Sequence, residues 1–426
     1  MKILLKNASL ADPERPSPQT GDLLLEHGCI IGAGGHIDVT DAETVDCTGL
    51  VAAPGLVDMH VHLRDPGYTE KEDIVTGCRA AAAGGVTTLL CMPNTSPAVD
   101  EPDTVAYILR KARNASARVR VAGALTVGLH GKERTDLKAL KEAGVTALSD
   151  DGRPVENSHL MAEAMKEAAD LGLPVVSHCE VPELTADGIM NEGKVSRELD
   201  VPGAPAAAEE CGIARELALA EALGVPVHIC HVSSQHSVEL IRAAKKRGVK
   251  VTCETAPHYF ALTEEALRGK DADLRMSPPL RTEKDRRAVI AGLKDGTIDV
   301  IATDHAPHTP YDKGDFFMAP NGVIGMETSL AAGITYLVKP GHLTLNQLLY
   351  KMSAAPAKLL RLPYGGLLSG SAADIVLFDP KEHWIVDPEK MHGKSKNAVF
   401  KGRNLCGRVK RTYCAGKLVY QDGKNP

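Results

Sequence analysis

Residues 55–92, GLVDMHVHLRDPGYTEKEDIVTGCRAAAAGGVTTLLCM, predict the fold because they combine two strands with a helix between them. Residues 55–63 and 86–92 are short apolar runs, which are typical of buried strands. Residues 72–83 lie between them, are rich in alanine and stop before Gly84, as a helix does. Two strands joined through a helix run parallel, so the segment predicts one β-α-β unit.

The same alternation continues along the chain and predicts a (β/α)8 barrel. Eight strand candidates share a short apolar pattern: residues 55–63, 86–92, 119–126, 145–149, 174–178, 226–231, 250–254 and 299–303. Helical patterns lie between most of them: residues 72–83, 158–171, 206–223, 234–247 and 283–293. Ser158 and Ser234 are candidate N-caps. An open doubly wound sheet has the same alternation. Eight such units over about 280 residues, without a glycine-rich nucleotide motif, favour the barrel.

The two ends of the chain have a different texture. Residues 1–53 and 366–426 contain short strands and turns, and each piece is too small to bury a core alone. We therefore predict that they pair into one composite β-sandwich domain. Residues 54–365 form the catalytic barrel, which helices at 326–338, 345–354 and 357–360 close.

Composition excludes several classes of protein. The chain has 426 residues, 43% of them hydrophobic and 24% charged, with 49 Lys+Arg against 55 Asp+Glu and a net charge of −6. These values indicate a globular protein without a nucleic-acid footprint. We expect no membrane partner, since no run reaches the ~18–20 apolar residues of a spanning helix. Ten cysteines without a CxxC pair indicate reduced thiols and a cytoplasmic location.

Histidines at strand ends predict a metal site. His60 and His62 are two residues apart and should project from one face of the first strand. His178, His231 and Asp304 end the fifth, sixth and eighth strands. Barrel active sites form at this end of the strands, so the five side chains should converge on metal.

Neighbouring residues with metal-binding chemistry receive a different interpretation. We expect Cys179 and Cys230, each beside a candidate ligand, to point away from the site and to be inert. His228 lies three residues before His231, and we interpret it as a packing residue on the opposite face of the strand.

Five protein ligands exceed what one catalytic zinc usually takes, so the sequence predicts two metals. Such a pair needs an anionic bridge. The fourth strand ends in Asp150 and Asp151, and either aspartate can serve.

Four motifs carry a resemblance to a known family. They are HVHLRDPG at residues 60–67, MPNT at 92–95, PHY at 257–259 and TDHAPH at 303–308. Together with the strand-end ligands, they resemble the amidohydrolase superfamily and, within it, the bacterial class I dihydroorotases. The resemblance covers nearly the whole chain, including the split β-sandwich.

The resemblance implies a binuclear centre that binds Zn²⁺, with two ions per subunit. His60, His62 and Asp304 would hold one ion, and His178 and His231 the other. Many relatives bridge their metals with a carboxylated lysine on strand four, but residues 145–151 contain no lysine. Some class I dihydroorotases use an aspartate instead, and the family spacing favours Asp151 over Asp150.

The implied activity is the reversible cyclisation of N-carbamoyl-L-aspartate to L-dihydroorotate in de novo pyrimidine biosynthesis. A metal-bridging hydroxide would attack the cyclic amide in the hydrolytic direction. Asp304 would act as general acid and base, taking the proton of the hydroxide and delivering it to the leaving nitrogen.

Substrate recognition is expected to centre on Arg64, which can bind the substrate carboxylate bidentately. The alternative for Arg64 is a loop salt bridge with Asp65 or Asp73. The resemblance adds a further set of substrate-binding residues: Asn94, Ser277, His308, Asn321 and Gly322. Ser277 stands where the family often has asparagine. Asn321 and Gly322 belong to a candidate active-site loop at residues 311–324.

Two other functions remain open. The chain can be another cyclic amidohydrolase, such as an allantoinase or hydantoinase. It can also be a non-catalytic dihydroorotase-like scaffold for aspartate transcarbamoylase. Arg64 and the missing lysine disfavour the first alternative, and the complete ligand set disfavours the second. We expect a homo-oligomer, with a dimer as the simplest form, and association of an active enzyme with aspartate transcarbamoylase stays an option.

Overall fold

Eight parallel strands form a closed barrel in the computed structural model, which describes residues 2–15 and 17–423. The barrel strands are, in order, Leu56–Val61, Val86–Cys91, Arg118–Gly123, Ala147–Leu148, Val176–Ser177, Val227–Ile229, Val251–Thr255 and Val300–Ile301. The first four and the last four pair as two ladders. Parallel bridges Leu148–Val175 and Val61–His305 join these ladders into a ring. The predicted (β/α)8 barrel is confirmed.

Helices cover the outside of the barrel and follow the strands in the chain. The longer ones are Ile74–Ala83, Pro102–Lys111, Leu137–Ala143, Ser158–Leu171, Ala207–Leu223, Gln235–Lys246, Glu283–Asp295 and Leu345–Met352. Shorter helices are Pro182–Thr185, Lys194–Leu199, Pro257–Ala261, Ser329–Gly333 and Ala354–Leu359, with a π-helical turn at Ile334–Val338. Turns of 3-10 helix occur at Ala112–Asn114, Val127–Leu129, Glu264–Gly269, Ala272–Leu274, Met326–Thr328 and Pro388–Lys390.

The helix caps follow the sequence with one correction. Ser234 caps its helix by accepting a hydrogen bond from the backbone N–H of Ser237. Ser158 was wrong as a cap, because the side chain of Asn157 accepts from the N–H groups of His159 and Leu160 at 3.0 and 3.2 Å. Asparagine is as effective an N-cap as serine, so the helix begins one residue after the true cap.

Strands from both ends of the chain form one mixed eight-stranded sheet. Its strands are Lys2–Leu10, Gln19–Glu26, Cys29–Ala33, Ala42–Asp46, Val51–Pro54, Ile375–Ile385, Asn404–Cys414 and Lys417–Gln421. Val51–Pro54 pairs antiparallel with the start of Ile375–Ile385, which connects the two terminal segments. A separate parallel pair, Met190–Asn191 with Gly203–Ala204, lies in the loop after the fifth barrel strand.

The terminal segments share a core of their own. Its buried members are Ile3, Leu5, Ala8, Leu23, Leu25, Ile30, Cys47, Ala52, Leu367, Ala373, Ile375, Leu377 and Tyr413. Since these residues come from both ends of the chain, neither segment completes the core alone, as the composite β-sandwich prediction requires.

The interior of the barrel is apolar below the strand ends. Inward-facing side chains form a separate cluster: Val57, Met59, Leu90, Met92, Ala122, Ala147, Val176, Cys230, Val300 and Ala302. Ala357 and Leu360, from and just after the helix Ala354–Leu359, join this cluster and pack beneath it. None of the helices in the described ranges has both the length and the apolar character to cross a membrane.

The shared terminal core can be tested by removing one buried side chain. Leu5 is fully buried, and Leu5→Ala should lower the free energy of unfolding by about 2–5 kcal/mol because it leaves a cavity. Equilibrium denaturation measures this change. Ile31→Ala in the same sheet is the control, because Ile31 is 42% exposed. Equal, small effects of both changes would contradict a well-packed shared core.

Candidate metal centre

His60 and His62 lie together at the end of the first barrel strand. Their ring centroids are 5.5 Å apart. The Nε2 atoms of His60 and His62 lie 3.5 and 3.3 Å from Oδ1 of Asp304, which follows the eighth strand. The structure therefore brings these three predicted ligands together, as the two-residue spacing and the barrel closure require.

His178 and His231 form the other half of the cluster. His178 Nδ1 lies 2.8 Å from His231 Nε2. The ring of His231 also lies 5.3 Å from that of His60, centroid to centroid. The ends of three strands thus deliver four histidines to one buried place.

Asp151 lies at the centre of the four histidines. Its Oδ1 is 3.3 Å from His60 Nε2, 3.6 Å from His178 Nδ1 and 3.9 Å from His231 Nε2. Its Oδ2 is 3.4 Å from His62 Nε2. One carboxylate therefore faces both histidine pairs.

Asp150 has a different task. Its Oδ1 accepts hydrogen bonds from the backbone N–H groups of Leu125 and Thr126, at 2.7 and 3.1 Å. This carboxylate fixes the loop after the third strand. The two adjacent aspartates, equivalent in the sequence, are distinguished here by the loop that each one faces.

Backbone conformation at the strand ends shapes the site. Arg64, His231 and Asp304 all have positive φ angles, of 60°, 34° and 49°. Such residues leave the extended conformation, so the alternation of side chains between the two faces of a strand stops there.

This change of conformation corrects the expectation for Cys230. Ligand atoms of Cys230, His60, Asp151 and His231 all lie within 4.8 Å of one another, so Cys230 faces the site rather than away from it. Burial raises the pKa of the Cys230 thiol, which keeps it neutral. Cys179, by contrast, points away as expected, with its Sγ 3.5 Å from the carbonyl oxygen of Ser177.

The expectation for His228 is also wrong, because this residue faces the barrel interior. Its Nε2 lies 3.3 Å from Oε2 of Glu254, and its Nδ1 lies 2.9 Å from the hydroxyl of Thr252. Glu254 and Thr252 occupy alternate positions of the seventh strand, so both face inward. His228 therefore supports the polar cluster from below.

Glu254 is a functional residue that the sequence analysis missed. Its Oε1 lies 2.6 Å from His60 Nδ1, so it orients the ring whose Nε2 faces Asp151. Burial raises the pKa of Glu254, but His60 and His228 outweigh this effect and lower it to about 2. The sequence does contain a signal for this role, namely an acidic residue at an inward-facing position near the end of a strand.

Electrostatics couple the acids to the histidines. Burial lowers the pKa of His60, but Asp151 and further anionic neighbours raise it well above its ordinary value. Burial raises the pKa values of Asp151 and Asp304, but the charge of His60 lowers both below the usual range. The pKa of His231 falls to about 4, first through burial and then through His178. The cluster therefore holds its carboxylates ionised and attracts positive charge.

Two unpaired atoms support a metal site. In the described part of the chain, His60 Nε2 and Asp151 Oδ1 are buried and have no hydrogen-bond partner. The ligand atoms of His60, His62 and Asp304 also lie within 4.8 Å of one another. Imidazole nitrogen and carboxylate oxygen are suitable ligands for a divalent transition metal. The residues present therefore fit the metal that the sequence predicts.

A cavity of about 310 Å³ opens onto this cluster. Every predicted substrate residue lines it: Arg64, Asn94, Ser277, His308, Asn321 and Gly322. The same cavity contacts His62, Asp151, His178, His231 and Asp304, whereas His60 does not line it and is fully buried.

Arg64 faces this cavity rather than an acidic loop partner. Its Nε donates to the carbonyl oxygen of Pro307 at 3.1 Å. Asp65 is paired with Lys111 at 2.5 Å, and Asp73 with Lys394 at 2.5 Å. The alternative salt bridge of Arg64 with either aspartate is therefore wrong.

His308 is held as a neutral ring. Its Nε2 donates to the carbonyl oxygen of Asn321 at 2.9 Å, while Nδ1 accepts from Lys71 Nζ at 3.3 Å. Burial and then the charge of Arg64 lower the pKa of His308 to about 2. Gly322 has a φ of 137°, and a Cβ there would lie 2.9 Å from His308 Nε2, so glycine is needed at this approach.

Asn94 and Ser277 connect the cavity to the ligands. Asn94 Oδ1 accepts from His62 Nδ1 at 2.8 Å. Ser277 donates to Glu180 Oε2 at 2.9 Å, and the same oxygen lies 3.1 Å from His178 Nε2. Glu180 was not predicted as a site residue, although it directly follows His178 and Cys179 at the end of the fifth strand.

The chain is similar to known proteins in sequence and in fold. A family model described as "Dihydro-orotase-like" matches residues 49–237. The chain is 48% identical over 423 residues to a protein named dihydroorotase from Trichlorobacter lovleyi, covering 99% of each chain. It is 48% identical over 421 residues to one from Ruminiclostridium cellulolyticum, covering 98% of each. Among solved structures, it resembles an L-hydantoinase (dihydropyrimidinase) from Arthrobacter aurescens with a TM-score of 0.88 and 26% identity, covering 99% of this chain and 96% of the other.

The role of Glu254 can be measured through metal affinity. Glu254→Gln removes the charge that orients His60, so Zn²⁺ affinity should fall by about 10- to 100-fold. Competition with a chelator of known affinity gives this value. Glu264→Gln is a matched control, since Glu264 is also buried but hydrogen-bonds Asn191 instead. Wild-type affinity in Glu254→Gln would show that this carboxylate does not support the ligand.

Proposed function

The chain belongs to the dihydroorotase family, and we propose that its histidine–aspartate cluster is the active site for the family's reaction. It is a hydrolase of cyclic amides, a dihydroorotase that interconverts L-dihydroorotate and N-carbamoyl-L-aspartate. One observation carries the site assignment: Asp304 and Arg64 line the same cavity, so a metal ligand and a carboxylate-binding cation face one substrate.

We propose that the cofactor is Zn²⁺, with two ions per subunit. His60, His62 and Asp304 would hold one ion and His178 and His231 the other, with the Asp151 carboxylate between the two sets. The position of Asp151 supports its place between the two sets, since its Oδ1 faces both His60 and His178 and its Oδ2 faces His62. When bound, the ions supply a water of lowered pKa and polarise the carbonyl of the substrate.

Asp304 moves the proton. Its carboxylate lies at the cavity and is held ionised by the neighbouring His60, despite its burial. In the hydrolytic direction it accepts the proton of the attacking water and gives it to the departing amide nitrogen. In the cyclising direction the carboxylate takes the proton of the attacking nitrogen and then gives it to the departing hydroxyl, which leaves as water.

Arg64 binds the carboxylate that the reaction leaves unchanged. The contact with Pro307 fixes its Nε and so directs the guanidinium. Asn94 and neutral His308 lie beside it in the cavity, where they add hydrogen-bonding groups. Ser277, Asn321 and Gly322 line the same cavity and contact the remaining polar edge of the ring.

A second candidate function is hydrolysis of another cyclic amide, such as a hydantoin or allantoin. The structural similarity to a hydantoinase favours it. The absence of lysine from residues 145–151 and the position of Arg64 favour dihydroorotate. A non-catalytic scaffold is disfavoured, because all six proposed metal ligands are present and clustered.

We also propose a cellular location and an oligomeric state for the enzyme. Ten free cysteines support a cytoplasmic location. We further propose a homo-oligomer, with a dimer as its simplest form, for which association with aspartate transcarbamoylase is compatible with full activity.

Turnover and metal analysis test the function together. The purified protein should contain zinc and hydrolyse dihydroorotate in preference to allantoin and hydantoin. Asp304→Asn should lower kcat by at least about 100-fold, since it removes the group that moves the proton. A metal-free protein without turnover, or a preference for hydantoin, would overturn the assignment.

Arg64 can be tested with a substrate that lacks the carboxylate. Arg64→Gln should raise KM for dihydroorotate by about 10- to 100-fold, because a charged hydrogen bond contributes ~1.5–3 kcal/mol. The KM for dihydrouracil, which has the same ring without the carboxylate, should change little. Equal effects on both substrates would indicate that Arg64 has a structural role instead.

A further inference from the structure

A second, larger cavity lies at the opposite end of the barrel. It has a volume of about 690 Å³ and is lined by residues of the first three barrel strands and of the segment 362–374. Arg118, the first residue of the third strand, lies at this cavity. The metal ligands lie at the other ends of the strands, so this cavity is separate from the active site.

Two arginines face the cavity from a single strand. Arg118 and Arg120 are two residues apart in Arg118–Gly123 and so lie on one face. The next residue on that face, Ala122, belongs to the apolar interior of the barrel. Arg120 thus occupies the inward position directly beneath the apolar layer.

The two arginines differ in their partners. Arg118 pairs with Asp374 through Nη1 and Oδ2. Arg120 has no ion-pair partner within residues 2–15 and 17–423, and its buried Nε has no hydrogen-bond partner there. Burial and then the charge of Arg118 lower the pKa of Arg120. The charges of Arg118 and Asp374 cancel, and Arg120 leaves the cavity with one unbalanced cation.

A packing role does not account for Arg120. The ion pair with Asp374 explains Arg118 as a link between the barrel and the terminal sheet. Arg120 lines the cavity without an ion-pair partner among the described residues, so a bound anion would balance its charge.

The rest of the lining suits a phosphorylated molecule. Hydroxyl groups come from Thr88, Ser369 and Ser371, and the segment also supplies small residues, Gly366 and Gly370. Apolar side chains complete the wall: Val57, Ala357, Leu362 and Pro363. Pockets of about 300–1,000 Å³ hold ligands of nucleotide size.

We propose that this cavity binds a small phosphate-bearing molecule, up to the size of a nucleoside monophosphate, with its phosphate on Arg120. A guanidinium matches phosphate oxygens bidentately, and Arg120 has its donors free for this contact. Arg118, whose charge is balanced by Asp374, lies beside it on the same strand. The apolar wall accommodates the rest of the ligand.

Calorimetric titration of the full-length protein tests the proposal with defined probes. Adenosine monophosphate and ribose 5-phosphate should bind, whereas adenosine and ribose, which lack the phosphate, should not. Inorganic phosphate, as a third arm, shows whether the anion alone suffices. Arg120→Gln should weaken the binding of adenosine monophosphate by at least about tenfold. Arg113→Gln, which changes an exposed arginine that does not line the cavity, should bind as the wild type does.

Two further variants keep the result clear. Ser369→Asp places a negative charge at the exposed rim of the cavity and should also weaken binding, even if Arg120→Gln does not fold. Arg64→Gln should leave the binding of adenosine monophosphate unchanged, because Arg64 belongs to the other cavity. No binding to the wild type at millimolar concentration, unchanged binding to both cavity variants, or loss of binding only in Arg64→Gln would overturn the proposal.

Discussion

Closure of the barrel between its first and eighth strands is the constraint on which the site depends. The N–H of His62 donates to the carbonyl oxygen of His305 at 2.8 Å, so these two strand ends are joined where the ligands emerge. Asp58 strengthens the junction by accepting from the N–H of Thr303 at 3.0 Å. Residues at the two extremes of the barrel sequence therefore meet, and Asp304 reaches the His60–His62 pair. An open sheet would hold these groups at opposite edges.

The second constraint is the burial of charge. Asp151, Asp304 and Glu254 are nearly inaccessible to water, and each is held ionised by the histidines around it. Isolated carboxylates in such a place would take up protons. Because the histidines pair with these carboxylates, the carboxylates stay ionised and can bind a divalent cation. Glu254 and Glu180 hydrogen-bond the imidazoles of His60 and His178 and so orient them. The chemistry of the site is thus set as much by Glu254 and Glu180 as by the ligands.

The order of strands and the convergence of ligands could be predicted from the sequence because both depend on regular geometry. All eight strand candidates overlap observed strands, and the spacing of His60 and His62 gave their common face. Predictions for Cys230 and His228 were wrong where that regularity ends. The faces of both residues were inferred by counting from His231. Its positive φ interrupts the side-chain alternation at that point, and the residue types do not predict this.

Other details depend on contacts between distant parts of the chain. Asp150 and Asp151 are indistinguishable in the sequence, and only the position of the loop at Leu125 and Thr126 separates their roles. The roles of Glu254 and Arg120 also depend on neighbours that lie far away in the chain. A single strand pattern predicts that such residues face inward, but it does not predict which partner they meet.

The composite terminal sheet also has a consequence for how the chain is made. Val51–Pro54 needs Ile375–Ile385 as its partner, so the whole barrel between these strands must leave the ribosome before this pairing forms. Pairings of such long sequence separation form slowly, and unpaired strand edges promote aggregation. The strands that precede the barrel therefore keep an incomplete core until the barrel and their partner strands have been synthesised. Strands that follow the barrel in the sequence thus complete the sheet that the preceding strands begin.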